Sequence, residues 1–180
     1  MGKFDIRYSI SQIPFLIKYV PITLFMALIS MAIALLISII LLIINKEKIK
    51  ILYPISKFYV SFFRGTPVVV QMFILYYGLP QVFPSFKEIT GLSATIIGLS
   101  LNSSAYMSES LRGAFDSVDK GQMEAALSIG MTRWMGIKRI ILPQAIKVSI
   151  PVLANDFINL IKMSSLAFML GVRDIMAATQ

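Results

Sequence analysis

Few residues in this chain are equipped for chemistry. It contains no histidine and no cysteine, which removes the commonest general base and metal ligand together with thiol chemistry. Two groups of polar residues remain. One is Glu124 with Ala125 and Ala126, inside the stretch GQMEAALSIG (Gly121–Gly130). The other is Asn155, Asn159 and Lys162, which share a narrow helical sector with Ser165 just beyond it. A lysine among amides can meet a carboxylate, so the stripe suits the path of a zwitterion; the same stripe would equally glue a helix bundle together by hydrogen bonds. Gln71 and Asn102 carry the same pair of readings, cavity lining or interhelical bonding. Asp156 lies six residues from Lys162, too far round to pair with it within one helix, and is expected to bond across helices or near the cytoplasmic rim.

The elements that must hold these residues are apolar. Of 180 residues, 57% are hydrophobic and 14% charged, and the mean hydropathy is +0.78. A soluble domain carries nearer a quarter charged residues. Three stretches lack any charge, Tyr19–Asn45, Gly65–Phe86 and Ile89–Ser108, and each has the length needed to cross about 30 Å of hydrocarbon as a helix. A fourth span is expected from about Val148 to Val172, interrupted by Asp156 and Lys162. The chain therefore reads as an all-α membrane protein with a bundle of about four transmembrane helices. A lead-in over residues 1–18 precedes a membrane domain over 19–180. The first span is too long for the apolar part of a signal peptide and is read as a retained helix.

Within the second span, FRGTP (Phe63–Pro67) is expected to break or re-angle the helix, because Gly65 loosens it and Pro67 lacks a donor. GLPQVFPSF (Gly78–Phe86) reads as a turn-rich external loop. The third span, Thr90–Ser108, is rich in small and hydroxyl residues. Ser100, Ser104 and Ser108 recur every four positions, and Gly98 and Asn102 do so on a neighbouring face, a spacing that lets helix backbones approach closely in lipid.

The net charge of +8 is a matter of topology here rather than of nucleic-acid binding. Eleven Lys and Arg residues fall on one side of the spans: Lys46, Lys48, Lys50, Lys57, Arg64, Arg112, Lys120, Arg133, Lys138, Arg139 and Lys147. Five fall on the other. The positive-inside rule makes the first side cytoplasmic and puts the N-terminus outside.

Glu109–Lys147 is thus a cytoplasmic insert. Its start continues the third span as a helix, with Glu109, Arg112 and Asp116 at pairing distances. SVDKG (Ser117–Gly121) breaks it. Gln122–Ile129 is expected to be a short helix with Glu124 in its first turn, stopped by Gly130. Thr132 should cap a second helix, Arg133–Leu142, which Pro143 ends or kinks. The residues leave two readings of the short helix open: docking into a groove of another protein, or resting on the lipid surface.

The run GQMEAALSIGMTRWMGIKRIILPQA resembles the Glu-Ala-Ala loop of permease subunits in binding-protein-dependent ABC importers, through Glu124, Ala125, Ala126, Gly130, Leu142 and Pro143. FRGTPVVVQMFILYYGLP, AYMSESLRGAFDSVDKGQMEAA and LPQAIKVSIPVLANDFINLIKMSSLAF are similar to the polar-amino-acid uptake branch of that family. The resemblance covers about Tyr19 to Asp174. It implies that Gln122–Gly130 is a coupling helix seated in a cytoplasmic ATPase, and that a second permease subunit, identical or a sister, stands beside it. It further implies that an extracellular solute-binding protein delivers an amino acid across the bacterial cytoplasmic membrane. The chain would be a transport subunit and not an enzyme, with no cofactor or metal, since no phosphate-cradling loop is present and ATP hydrolysis would fall to the partner. On the likeness of Leu101–Met131, cystine or a related sulfur-containing amino acid is the preferred substrate, with glutamine, glutamate and arginine left open.

Two departures bear on these expectations. Family members usually carry a fifth span after the segment matching GVRDIMAATQ, so a chain lacking its last span is expected, its C-terminus outside. Met163 also stands in KMSSL where relatives commonly have an acidic or amide residue. An ion-coupled secondary transporter, which should show internal repeats and paired broken spans, and a non-transporting truncated membrane subunit are the competing readings.

Overall fold

The computed structural model describes residues 13–177. It is helical, with no strand among the described residues. Helix α1 (Val20–Glu47) belongs to a helical run of 35 residues, Ile13–Glu47, reaching back into the lead-in. Residues 1–12 of that lead-in lie outside the described residues. Helix α2 is Leu52–Gly65 and α3 is Val68–Phe73. A π-helical turn, Ile74–Gly78, joins α3 to the one-turn α4 (Leu79–Val82). Helix α5 (Gly91–Asp116) leads to the short α6 (Lys120–Ser128) and α7 (Arg133–Gly136). A second π-helical turn, Ile137–Ile141, runs into α8 (Leu142–Ser164), which tightens to a 3₁₀ helix over Ser165–Leu170.

Helices α1, α5 and α8 pack on one another as the centre of the bundle, and α2 lies against α5. The seam on α1 is made of small residues, with Ala27, Ser30, Ala34 and Ser38 all fully buried. The Ser30 hydroxyl donates across the seam to the Ile96 carbonyl at 3.3 Å. Where lipid is as apolar as leucine, close backbone approach and such bonds hold helices together. The opposite side of α1 presents Leu28, Leu36 and Ile40, each more than half exposed, as a lipid-facing surface requires. Helix α5 is packed as its serine spacing predicts. Ser100, Ser104 and Ser108 are buried, and each hydroxyl donates to a carbonyl of its own helix. A Cβ on Gly98 would come within 2.9 Å of the Met72 side chain, so α3 lies directly on this glycine.

Among the described residues one helical run, Ile13–Glu47, is long and apolar enough to span a membrane by itself. Leu52–Gly65 and Val68–Val82 qualify as one broken span, bent by 107°. Helices α5 and α8 have 26 and 23 residues, or roughly 39 and 35 Å at 1.5 Å per residue. Their hydropathy is diluted by the serines and Asn102 of α5 and by Asn155, Asp156, Asn159 and Lys162 of α8, and these two complete the four-helix bundle.

Several local expectations shift. The bend does sit at FRGTP, where Thr66 is extended between α2 and α3. GLPQVFPSF is more helical than a loop, because Pro80 and Pro84 occupy first-turn positions where a missing N–H costs nothing. Pro143 does not end the helix, because the π-helical turn Ile137–Ile141 runs directly into α8 across it. Helix α6 begins at Lys120, so Glu124 stands in its second turn. The acid serving the helix start is Asp119, whose Oδ1 accepts the Gly121 N–H at 2.7 Å.

Candidate functional site

The GQMEAALSIG stretch folds as a short helix closed at both ends. Asp119 caps its start. At its end Gly130 takes φ +81°, its N–H donates to the Leu127 carbonyl at 3.0 Å, and the Met131 N–H donates to Ala126 at 3.1 Å. That pair of bonds is the Schellman arrangement, which favours glycine at the left-handed position. Two residues on, Thr132 accepts the Met135 N–H at 3.3 Å and opens α7. Helix α7, the π-helical turn and α8 then follow without a break, so α6 is joined through a single left-handed joint to a continuous rod that includes Leu142 and Pro143.

The two alanines beside Glu124 have different surroundings. Ala126 is 1% exposed and packs inside the chain against Gly136, where an added Cβ would meet Met123 Sδ at 2.9 Å and Ala126 Cβ at 3.4 Å. Glu124, Ala125 and Ser128 are exposed, together with Leu127 (48%) and Ile129 (73%). The outer face of α6 is therefore small-to-apolar with one carboxylate. The inner alanine holds α6 to the rod.

The second group of residues gathers at a cleft of about 630 Å³ between the α2–α3 bend, α5 and α8. Its walls include Asn102 and Tyr106 from α5, Asp156, Asn159 and Lys162 from α8, and Arg64 from the end of α2. Of the residues singled out from sequence, Asn102, Asn159 and Lys162 meet at this cleft. Asn155 is exposed but stands off its wall. The Ser165 hydroxyl turns back to the Lys162 carbonyl at 2.6 Å. Gln71 is buried beside the cleft and braces the bend, its amide nitrogen donating to the Phe63 carbonyl at 3.1 Å, the Thr66 carbonyl at 3.0 Å and Thr66 Oγ1 at 2.7 Å. Asn102 adds a donation to Phe63 O at 2.9 Å and one to Gln71 Oε1 at 3.1 Å. The two amides thus satisfy carbonyls that the break at Gly65–Pro67 frees, as any broken span in hydrocarbon needs.

Two charged residues on the wall were absent from the sequence-based site. Asp156 faces the Ser110 hydroxyl of α5, as a cross-helix bond requires, yet its Oδ2 is buried without a hydrogen-bond partner among the described residues. The Arg64 guanidinium lies 5.4 Å over the Tyr106 ring. Its signal in the sequence is its place beside a helix break, where a basic residue can turn inward. Met163 also stands on the wall.

Beyond the cleft, at the end of α5 that carries α6, charges pair in series. Arg112 donates to Glu109 Oε2 at 2.6 and 3.2 Å and to Asp116 Oδ2 at 3.2 Å, and Asp116 accepts from Lys46 at the end of α1. The Arg112 bond holds the Glu109 carboxyl below its ordinary value, and the Lys46 bond does the same for Asp116.

Residues 48–180 match the family described as binding-protein-dependent transport system inner membrane component. The chain is 52% identical over 177 residues to the probable amino-acid permease protein YxeN of Bacillus subtilis, covering 98% of this chain and 79% of that protein. It is 49% identical to the probable amino-acid ABC transporter permease protein PatM of Vibrio harveyi, with the same coverage. The arginine transport system permease protein ArtQ of Bacillus subtilis is 38% identical over 96% of this chain and 78% of its own length. Among solved structures, an amino acid ABC transporter crystallised with histidines superposes with a TM-score of 0.89 at 32% identity, covering 98% of this chain and 81% of that one. The chain belongs to the inner-membrane components of binding-protein-dependent transport systems, as an amino-acid permease of the ABC transporter class.

Proposed function

We propose that this permease carries a zwitterionic polar amino acid through the cleft between the α2–α3 bend, α5 and α8, driven by a cytoplasmic ATPase seated on the outer face of α6. The observation that carries the reading is the pairing of signs on one wall: Arg64 and Lys162 can receive a carboxylate, and Asp156, with an oxygen left unpartnered, can receive an ammonium. Ionisable groups in a span are costly and serve cavities or partners. Asn102 and Asn159 add neutral partners for either end. Two cations against one carboxylate favour a neutral amino acid over a dibasic one, although the relative ArtQ is named for arginine. Cystine or a related sulfur-containing amino acid remains the first choice within that class.

Glu124, Ala125, Ala126 and Gly130 form the coupling element of this reading, with Leu142 and Pro143 at the root of the rod it moves. The partners are the ATPase, an external solute-binding protein and a second permease copy or sister subunit. The membrane domain spans 19–180, with 1–18 and the N-terminus outside. Uptake of a panel of labelled amino acids in cells carrying the complete operon tests the proposal. Saturable uptake of neutral polar amino acids, abolished when the ATPase is inactivated, is expected; uptake confined to arginine or lysine overturns the assignment of charge.

A further inference from the structure

Arg64 belongs to two structures at once. It is a lining residue of the cleft, its guanidinium over the ring of Tyr106 on the same lining, and it also stands at the head of the charge series on α5, with Nη1 3.9 Å from Glu109 Oε2. That same oxygen already accepts both bonds from Arg112. Arg64 is thus left with a long ionic contact, without a hydrogen bond, between side chains 44% and 23% exposed. Contacts of that kind are weak. A free carboxylate in the cleft offers a guanidinium two parallel hydrogen bonds, the strongest pairing it can make.

We infer that Glu109 is a positioning residue that keeps Arg64 at the cleft wall and yields it to the substrate carboxylate, so that substrate and Glu109 compete for one cation. The inference rests on the proposed reading of the cleft. Its consequence runs along the series. Arg64 belongs to α2, Glu109, Arg112 and Asp116 to α5, and Lys46 to α1, so three helices are tied through one chain of charges whose first tie the substrate replaces. Filling the cleft then removes the ionic tie between α2 and α5, while the Tyr59 and Asn102 hydrogen bonds keep the two helices packed.

The test is equilibrium binding of a labelled mixture of the twenty common L-amino acids together with L-cystine to the purified permease–ATPase complex without binding protein, whose own affinity would mask the cleft. In Glu109→Gln the amide oxygen still accepts from Arg112, but the competing charge is gone. The dissociation constant should fall about threefold, the scale of one partly exposed ion pair. Glu109→Asp should restore the original value, and Glu88→Gln, which removes an equal charge from the distant external turn, should leave it unchanged. A residue that merely braced the bundle would leave affinity unchanged or weaken it on losing its charge, and either result overturns the exchange. Arg64→Gln separates the two levels: binding weakened tenfold or more supports the cleft reading whatever Glu109→Gln does. Unchanged binding in Arg64→Gln, or none in the unaltered complex, removes the cleft reading and the exchange with it.

Discussion

Lys162 was recognisable from its neighbours alone, because a lysine two turns from an asparagine in an apolar helix has little else to do than face polar company. The structure gives it that company in Asn159, Asp156 and Asn102 around the cleft. Lys162→Met keeps the length and apolar stem of the side chain and removes the cation. Uptake of amino acids should fall by an order of magnitude or more, while the ATPase still co-purifies; unimpaired uptake removes Lys162 from the path. Asn102 has a different liability. Replacing it with leucine strips one of two donors from the Phe63 carbonyl and the donor from Gln71 Oε1, leaving that buried oxygen unmet at a cost of about 1–3 kcal/mol. Thermal unfolding of Asn102→Leu in detergent should show that loss. Asp156 and Arg64 were harder to read. Their role depends on which helices face each other across the cleft, and helical spacing on one segment says nothing about the partner segment.

Charges at the end of α5 carry a pH dependence with a definite sign. Glu109 and Asp116 are held below their ordinary values by Arg112 and Lys46 respectively, so their contribution is present above the unfolded carboxylate range near pH 4. It is lost as the pH falls through the lower, folded values. The melting temperature of the complex should therefore hold steady at neutral pH and drop on acidification. Asp116→Asn should flatten that acid limb, and so should high salt, because these groups are substantially exposed.

At the scale of elements, α6 can serve as the proposed coupling element only if it is rigid and can be pushed. Its rigidity comes from the Asp119 cap, in place of the Glu124 that the sequence pointed to, and from the Schellman closure at Gly130, which the glycine did signal. Any L residue at Gly130 must adopt a left-handed backbone at a cost of about 1–2 kcal/mol. Gly130→Asp adds a charge to the joint, and Glu124→Lys reverses the one carboxylate on the exposed face. Both variants should release or uncouple the ATPase; wild-type transport with retained co-purification would show that α6 is not the seat. The division of labour between Ala125 and Ala126 was not legible. It arises from Gly136, ten residues beyond Ala126, whose missing side chain makes room for α6 against the rod. The same kind of tertiary override extended helix through GLPQVFPSF and Pro143, since proline stops a helix only where its absent N–H was needed.

For the molecule as a whole, orientation decides whether α6 can meet an ATPase at all. On the proposed topology eleven lysine and arginine residues fall on the side of α6 and five on the other. The structure joins the relevant ends physically, since the Lys46–Asp116 pair brings the end of α1 to the end of α5 just before α6. A protein without cysteine allows this to be read one position at a time. Gln81→Cys, on the far side of the bent span, should react with a membrane-impermeant thiol reagent in intact cells. Lys120→Cys, at the start of α6, should react only after the membrane is opened. The opposite pattern would place α6 outside, where no ATPase could reach it. The cleft would then have to open the other way, and the coupling of nucleotide closure to α8 through the Gly130 joint would fail. Labelling at both sites in intact cells would instead mean that the charge bias does not fix a single topology.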